Sequence, residues 1–188
     1  PSIMARFNIS PETVNTERPT ASLVPELGMI VDRDKPGLVP LTLAPLLEKR
    51  LKLKRLLLEL SQWDCRYKGY KAQAAAHKWL LVTCFGYLGY KNARFGKIEA
   101  HEAVCAYGRE VMMRAKEAAE DMGFRVLHLY VDGMWIKKPG CTAREDFMPL
   151  LDEIQARTYL TIALDGIYKW IAFLPSHMDR RIAVPNRY

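Results

Sequence analysis

A chain of 188 residues, 49% of them hydrophobic and 26% charged, can bury one large core, or one domain with a small appendage. Its net charge of +7, from 28 Lys and Arg against 21 Asp and Glu, suits a phosphate-rich partner without demanding one. The chain has no run of about 18 apolar residues, which excludes a membrane-spanning helix, and its first residues do not read as a signal peptide.

The four cysteines, Cys65, Cys84, Cys105 and Cys141, lack CxxC spacing and have no histidine near them in a zinc-binding pattern. A disulfide framework is not expected in a chain of this size. The expectation is buried free thiols in a reducing compartment. The first residue is Pro1, which reads as the start of a segment of something longer.

Residues 1–40 are rich in Pro, Thr and turn formers, and Asp32 to Gly37 (DRDKPG) is a turn cluster. A helix is predicted from Thr42, with Thr42 as its cap and Pro45 in its first turn. Leu46, Leu47, Leu53, Leu57 and Leu60 give it an apolar stripe, and Lys49, Arg50, Lys52, Lys54 and Arg55 are expected on the other surface. After the polar connection QWDCRYKGY, alanines favour a second helix from about Gln73 to Phe85, on which Lys71, Lys78 and Phe85 recur seven apart. Two long helices joined tightly predict an antiparallel pair.

A strong amphipathic helix follows, with Val104, Tyr107, Val111, Ala115, Ala118 and Met122 at helical spacing and Gly123 as its C-terminal cap. FRVLHLYV is β-rich, and MWIKK continues beyond Asp132-Gly133, a dipeptide that signals a hairpin turn. Thr142 with Glu145 suggests a capping box for a helix carrying Phe147, Leu150, Leu151 and Ile154. TYLTIAL and IYKWIAFL read as a second strand pair around Asp165-Gly166. This order predicts an α+β fold: an antiparallel sheet backed by helices on one face, with the two basic helices as an insertion.

Several residues in this outline could carry chemistry. Arg50 and Lys54 are four apart and share a helix face, and Lys78 can join them if the helices are antiparallel. Three converging cations suit a triphosphate, with Arg as a bidentate donor and Lys as a point charge. A solvated basic face is the plainer reading. A carboxylate at a hairpin tip, as at Asp132 and Asp165, is ordinary turn chemistry. Two such tips on one sheet could instead share a divalent metal, and metal plus cations is what phosphoryl transfer needs. His77, His101, His128 and His177 are scattered and read as surface or sheet residues. Trp63, Trp79, Trp135 and Trp170 read as core.

Six segments in order resemble family B DNA polymerases. PSIMARFNISPETV resembles the tail of motif A, whose usual form is DxxSLYPSI followed by Asn-x-Ser-Pro-[Asp/Glu]-Thr. KWLLVTCFG, from Lys78 to Gly86, resembles motif B, usually KxxxNSxYG. GYLGY with EAHEAVCAYGRE resembles the run that follows it. YVDGMWI sits where motif C, usually DTDS or DTDG, is expected. LDGIYKWIAFLPS resembles the next strand pair, and VPNRY falls where a primer-contacting strand is expected.

The resemblance implies a palm over 1–40, a fingers helical hairpin over 41–88 and the rest of the palm over 89–188. Arg50, Lys54 and Lys78 match the cations that hold the incoming triphosphate. Val82 and Thr83 replace the motif B Asn and Ser, and Phe85 replaces its Tyr, keeping a ring near the nucleotide. Tyr87, Gly89 and Tyr90 match residues near the template strand. Asp132 matches the second motif C carboxylate, a catalytic metal ligand, and Asp165 an acidic position near the metals. Arg187 and Tyr188 match primer-duplex contacts.

The implied partners are primer–template DNA, a dNTP and the remaining polymerase domains: N-terminal, exonuclease and thumb. The implied cofactor is Mg²⁺, two ions in the complete enzyme, with Mn²⁺ as a substitute. The implied setting is the cytoplasm of an archaeon or bacterium. Tyr130 stands where the first motif C carboxylate is usual, which resembles a divergent archaeal lineage and leaves an inactivated, DNA-binding module as the alternative function. The motif A aspartate is expected just before Pro1, so the fragment alone is expected to synthesise little.

Overall fold

The computed structural model describes residues 1–15, 21–182 and 184. The chain divides into two compact units, Pro1–Glu110 and Val111–Tyr188.

In the first unit, helix α1 (Ser2–Arg6) precedes a short antiparallel pair, β1 (Ala21–Leu23) and β2 (Ile30–Asp32), then α2 (Leu38–Glu59) and α3 (Tyr67–Leu88). Helix α4 (Ile98–Asp121) gives its first half to this unit and its second half to the next. The core of the first unit joins Met4, Ile9, Val14, Val31, Leu43, Leu81, Leu88, Val104 and Tyr107, all nearly inaccessible. Helices α2 and α3 pack on one another, and α1 packs on α2. The short helix and strand pair of the first 40 residues escaped the sequence reading because each is too brief to show a period.

Helix α2 begins earlier than its pattern suggests, with Gly37 at its cap. Thr42 is not the cap. Its hydroxyl donates to the Leu38 carbonyl at 2.8 Å, inside the helix. Pro45 therefore lies beyond the first turn and removes a helical hydrogen bond there.

The open amides of the first turn are met by a loop that precedes it by more than 25 residues. The Leu38 N–H donates to Glu12 Oε1, the Val39 N–H to Ser10 Oγ at 3.2 Å, and the Gly37 N–H to Asn8 Oδ1 at 2.8 Å. The loop holds itself in shape: the Ser10 hydroxyl donates to Glu12 Oε2 at 2.6 Å, and the Thr13 hydroxyl to the Asn8 carbonyl at 2.6 Å. Lys97, at the start of α4, donates to the carbonyls of Pro11 and Val14 at 3.0 and 2.6 Å. A helix capped from so far away carries no local signal, which is why Thr42 is the residue the pattern offers.

Gly37 is tightly enclosed. A Cβ built there meets Ser10 Cβ at 2.5 Å and Thr13 Cγ2 at 3.0 Å. Gly37→Ala should therefore destabilise the protein by about 1–3 kcal/mol, the usual cost of overpacking. A shift in the chemical-denaturation midpoint measures it, and a midpoint equal to the parent's would mean the loop yields freely.

In the second unit, β3 (Arg125–Tyr130) and β4 (Gly133–Lys137) form an antiparallel hairpin, followed by a 3-10 turn (Arg144–Phe147) and α5 (Met148–Thr158). Ala115, Ala118, Ala119, Phe124, Phe147, Leu150 and Ile154 make its core, with Val126, Met134 and Ile136 of the hairpin packed on them. Gly123, at φ +78°, closes α4 as expected. The carboxylate that closes the turn before α5 is Asp146, not Glu145: both the Thr142 and Ala143 amides donate to it at 2.8 Å, and these bonds hold its pKa below the ordinary carboxylate value.

Several expectations need correction. Among the described residues, two separate two-stranded sheets stand in place of one larger sheet. The second strand pair does not form over 159–170, where no strand is present among the described residues. Accessibility still alternates along 161–164, and Ile162 and Leu164 rest on the core, so the period of two reflects one-sided packing without a ladder. A two-stranded ribbon with no third strand is marginal by itself. Among the described residues, ladder-like bonds near there link Ser176 with Ile182 and Val184 with Leu174. Cys65 is exposed, and Cys84, Cys105 and Cys141 are half-buried, so none is a fully buried thiol. Trp63, Trp79 and Trp170 are 96%, 68% and 79% exposed, the reverse of the core role expected of them. The α+β class stands.

Candidate functional site

The β3–β4 hairpin has a two-residue tip. Tyr130 pairs with Gly133, so the turn is Val131-Asp132, and Gly133 is the first residue of β4 rather than part of the turn. Val131 takes the positive-φ position, at +49°. A β-branched residue there is strained, by about 1–3 kcal/mol, and such outliers concentrate at functional sites. A Cβ at Gly133 would meet nothing nearer than 3.7 Å, so this position tolerates a side chain.

Asp132 is exposed and has no hydrogen-bonded or ion-paired partner among the described residues. Its neighbours are ordered by a β-bulge between Val126 and His128. The bulge shifts the strand's parity. Val126 and Leu129 pair with Ile136 and Met134, whereas His128 and Tyr130 pair with Trp135 and Gly133 on the opposite face. On that face the rings of Tyr130 and His128 stack 6.4 Å apart with planes 6° from parallel, and Trp135 and Phe173 lie 5.4 and 5.2 Å from His128. Tyr130 is thus part of an aromatic cluster beside the acid.

The basic helices are distinctive in charge. From Leu38 to Leu88, nine Lys and Arg stand against three acids, a net +6 out of the whole chain's +7. Arg50 departs from the expected pattern. It follows Leu46 and Leu47 by four and three residues, which puts it on the inner side of α2, and it is half-buried while Lys49, Lys52, Lys54 and Arg55 are exposed. Its Nε is buried with no hydrogen-bond partner among the described residues. An unmet donor of this kind costs stability unless a ligand or water takes it. Lys54, one turn on, and Lys78, on α3, are exposed and without ion-pair partners among the described residues.

Further along α3, Val82 is exposed and Phe85 is half-buried. The Phe85 ring stacks on His101 at 4.2 Å, and His101 Nδ1 lies 3.2 Å from the Phe85 carbonyl. Gly89 caps α3 directly against the His101 ring. Tyr87 and Tyr90 form an exposed edge-to-face pair at 6.4 Å. Asp165 is exposed in the extended segment that replaces the second strand pair. Arg187 and Tyr188 lie outside the described residues.

A divalent ion of the Mg²⁺ type takes several oxygen donors. Asp132 offers one accessible carboxylate, and no group of three or more His, Cys, Asp or Glu among the described residues could hold an ion. The described residues therefore do not complete a metal site by themselves, which leaves further donors to phosphates, water or groups elsewhere. No helix among the described residues is long and apolar enough to cross a membrane.

Sequence reasoning passed over Asn8, Ser10 and Glu12 as structural devices, although the NISPET string that contains them was visible as a motif.

Residues 1–137 match the sequence profile of DNA polymerase family B, which takes in the motif A-like segment, both basic helices and the whole β3–β4 hairpin. Asp165 falls beyond the matched stretch. DNA polymerase 2 of Saccharolobus solfataricus is 35% identical over 188 residues, all of this chain and 26% of that polymerase. A DNA polymerase of Archaeoglobus fulgidus is 34% identical over 174 residues, 93% of this chain and 22% of the relative. Among solved structures, the family B DNA polymerase of Pyrobaculum calidifontis superimposes with a TM-score of 0.70 at 25% identity, over 89% of this chain and 22% of that one. The chain spans about a quarter of the length of these relatives. With the profile running from Pro1 through the carboxylate-bearing turn to the last residue of β4, the chain belongs to DNA polymerase family B.

Proposed function

We propose that this chain is the palm and fingers region of a DNA-directed DNA polymerase, in which a primer 3′-hydroxyl attacks the α-phosphate of a dNTP paired with a template base. The observation that carries the reading is the family match along 1–137, which includes Asp132 at the hairpin tip and the α2–α3 pair with its net +6. The fingers correspond to about 41–88, and the palm to 1–40 and 89–188.

In this reading Arg50, Lys54 and Lys78 bind the triphosphate. The half-buried guanidinium with an unmet Nε is suited to a bidentate phosphate contact. Val82 and Phe85 border the nucleotide, and Tyr87, Gly89 and Tyr90 the template strand. Arg187 and Tyr188 touch the primer duplex. Asp132 would hold a divalent ion, with Asp165 close by. Bound Mg²⁺, or Mn²⁺ in its place, supplies Lewis-acid stabilisation of the charge that develops on the phosphate. The remaining polymerase domains, primer–template DNA and dNTP are the partners.

Arg50→Lys keeps the charge but loses the planar fork. In the full-length protein it should raise KM for dNTP about tenfold or more, the worth of a charged hydrogen bond. Steady-state primer extension over a dNTP series measures this, and an unchanged KM would remove Arg50 from the site.

A second reading, a polymerase-like module that grips DNA without synthesis, is favoured by the place of Tyr130 in the aromatic cluster and by the single carboxylate at the tip. Primer extension by the full-length protein with Mg²⁺ and then Mn²⁺ separates the two. Extension in either metal supports the enzyme, and none in both supports the module. Salt-sensitive DNA binding is common to both readings.

A further inference from the structure

We propose that Glu12 and Ser10 are positioning residues for nucleotide binding: they hold the first turn of α2 and through it set where Arg50 and Lys54 stand. The inference rests on reading Arg50 and Lys54 as the phosphate clamp.

A helix leaves its first N–H groups without partners, and the partners it acquires fix how its N-terminus sits. Here α2 has no side-chain cap of its own. Its cap comes from one loop: Glu12 takes the Leu38 amide, Ser10 the Val39 amide and Asn8 the Gly37 amide. Glu12 also brings a negative charge to the positive end of the helix. Burial opposes that charge, but the bonds from the Leu38 amide and the Ser10 hydroxyl outweigh it, with Lys35 adding to them, and the Glu12 pKa lies below its ordinary value.

The loop is itself fixed at both sides. The Asn8 Nδ2 donates to the carbonyls of Asp32 and Lys35 at 2.7 and 2.8 Å, and Lys97 ties Pro11 and Val14 to the start of α4. The absence of a side chain at Gly37 lets helix and loop come within contact. Arg50 follows Leu38 by twelve residues, roughly 18 Å along a helix axis. Over that length a small tilt at the anchored end displaces the guanidinium by an ångström or more. Pro45 lies between the two and weakens the ladder, so the helix needs its N-terminus held from outside.

The test uses the full-length protein with Glu12→Ala, Glu12→Gln and, as a stability control, Val104→Ala in the core of the same unit. dNTP affinity is read as KM in primer extension and as Kd by titration calorimetry, and α2 order by hydrogen exchange. Glu12→Ala should weaken dNTP affinity roughly three- to thirtyfold, the range of lost helix caps. It should leave kcat within about twofold and speed exchange of the amides ahead of Arg50. Glu12→Gln keeps an acceptor for the Leu38 amide and should recover much of the affinity. Val104→Ala should lower the melting midpoint with dNTP affinity unchanged.

Affinity that falls equally in Glu12→Ala and Val104→Ala, or faster exchange in α2 with affinity intact, would overturn the proposal. An Arg50→Ala variant separates the layers. If it leaves affinity unchanged, the clamp reading fails and the proposal goes with it. If it weakens affinity and Glu12→Ala does not, only the positioning role fails.

Discussion

Asp132→Ala in the full-length protein should lower primer extension by at least about a hundredfold, as loss of a group that stabilises developing charge does. Primer–template affinity should stay within about twofold. The contrast follows from where Asp132 sits. It is exposed in a two-residue turn and has no protein partner among the described residues, so its loss frees no buried group and opens no cavity. Exposed substitutions of this kind usually change stability by less than about 0.5 kcal/mol. The hairpin is held by its strand ladder and by Val126, Met134 and Ile136 against the core of the second unit, none of which involves the Asp132 side chain. A drop in turnover therefore reports chemistry rather than folding. Asp132→Asn, which keeps the shape and removes the charge, should fall nearly as far. Parent-like extension by either variant would refute the metal-ligand role.

Leu81→Ala should destabilise the protein by about 2–5 kcal/mol, the range for removing a leucine from a well-packed core. Leu81 is 2% exposed and joins Leu43 of α2, Leu88 of α3 and Val104 of α4 in one cluster. It lies on the inward side of α3, one turn beyond Lys78 and one turn before Phe85. The same residue that secures the core of the first unit thus sets the lie of the helix that carries three of the proposed nucleotide contacts, Lys78, Val82 and Phe85. Chemical denaturation measures the loss, and Leu81→Met, which conserves volume, should cost less than about 1.5 kcal/mol. A loss below about 1 kcal/mol for the alanine variant would mean that α3 does not depend on this core.

What was legible in the sequence is what depends on short-range chemistry. The amphipathic period of α4 was visible in Val104, Tyr107, Ala115 and Ala118, and those residues are buried. The glycine that ends α4 and the hairpin centred on residue 132 were visible as well, since both rest on local backbone preferences. The family was visible because six short segments stood in order, and the profile match bears it out.

The misreadings have two physical sources. One is distance along the chain. Thr42 looked like a cap because the real partners of α2, Glu12 and Ser10, lie 26 and 29 residues before the amides they accept from. The other is that composition does not say what covers a side chain. Trp63 and Trp79 are apolar enough for a core, yet Trp63 sits in the connection between α2 and α3 and Trp79 on α3, both exposed. Arg50 is basic enough for the surface, yet its place one turn from Leu46 and Leu47 turns it inward.

By itself the sequence determined the α+β class, the main helices, one hairpin and the family, because helix period, turn chemistry and motif order are written locally. Only the tertiary structure decided which way the groups point. A single bulge between Val126 and His128 shifts the strand by one residue, and because strand side chains alternate, that shift places Tyr130 and His128 opposite the core. The turn fell one residue earlier than Asp-Gly predicts because Tyr130 pairs with Gly133, a choice made by the ladder on either side of it and not by the dipeptide alone.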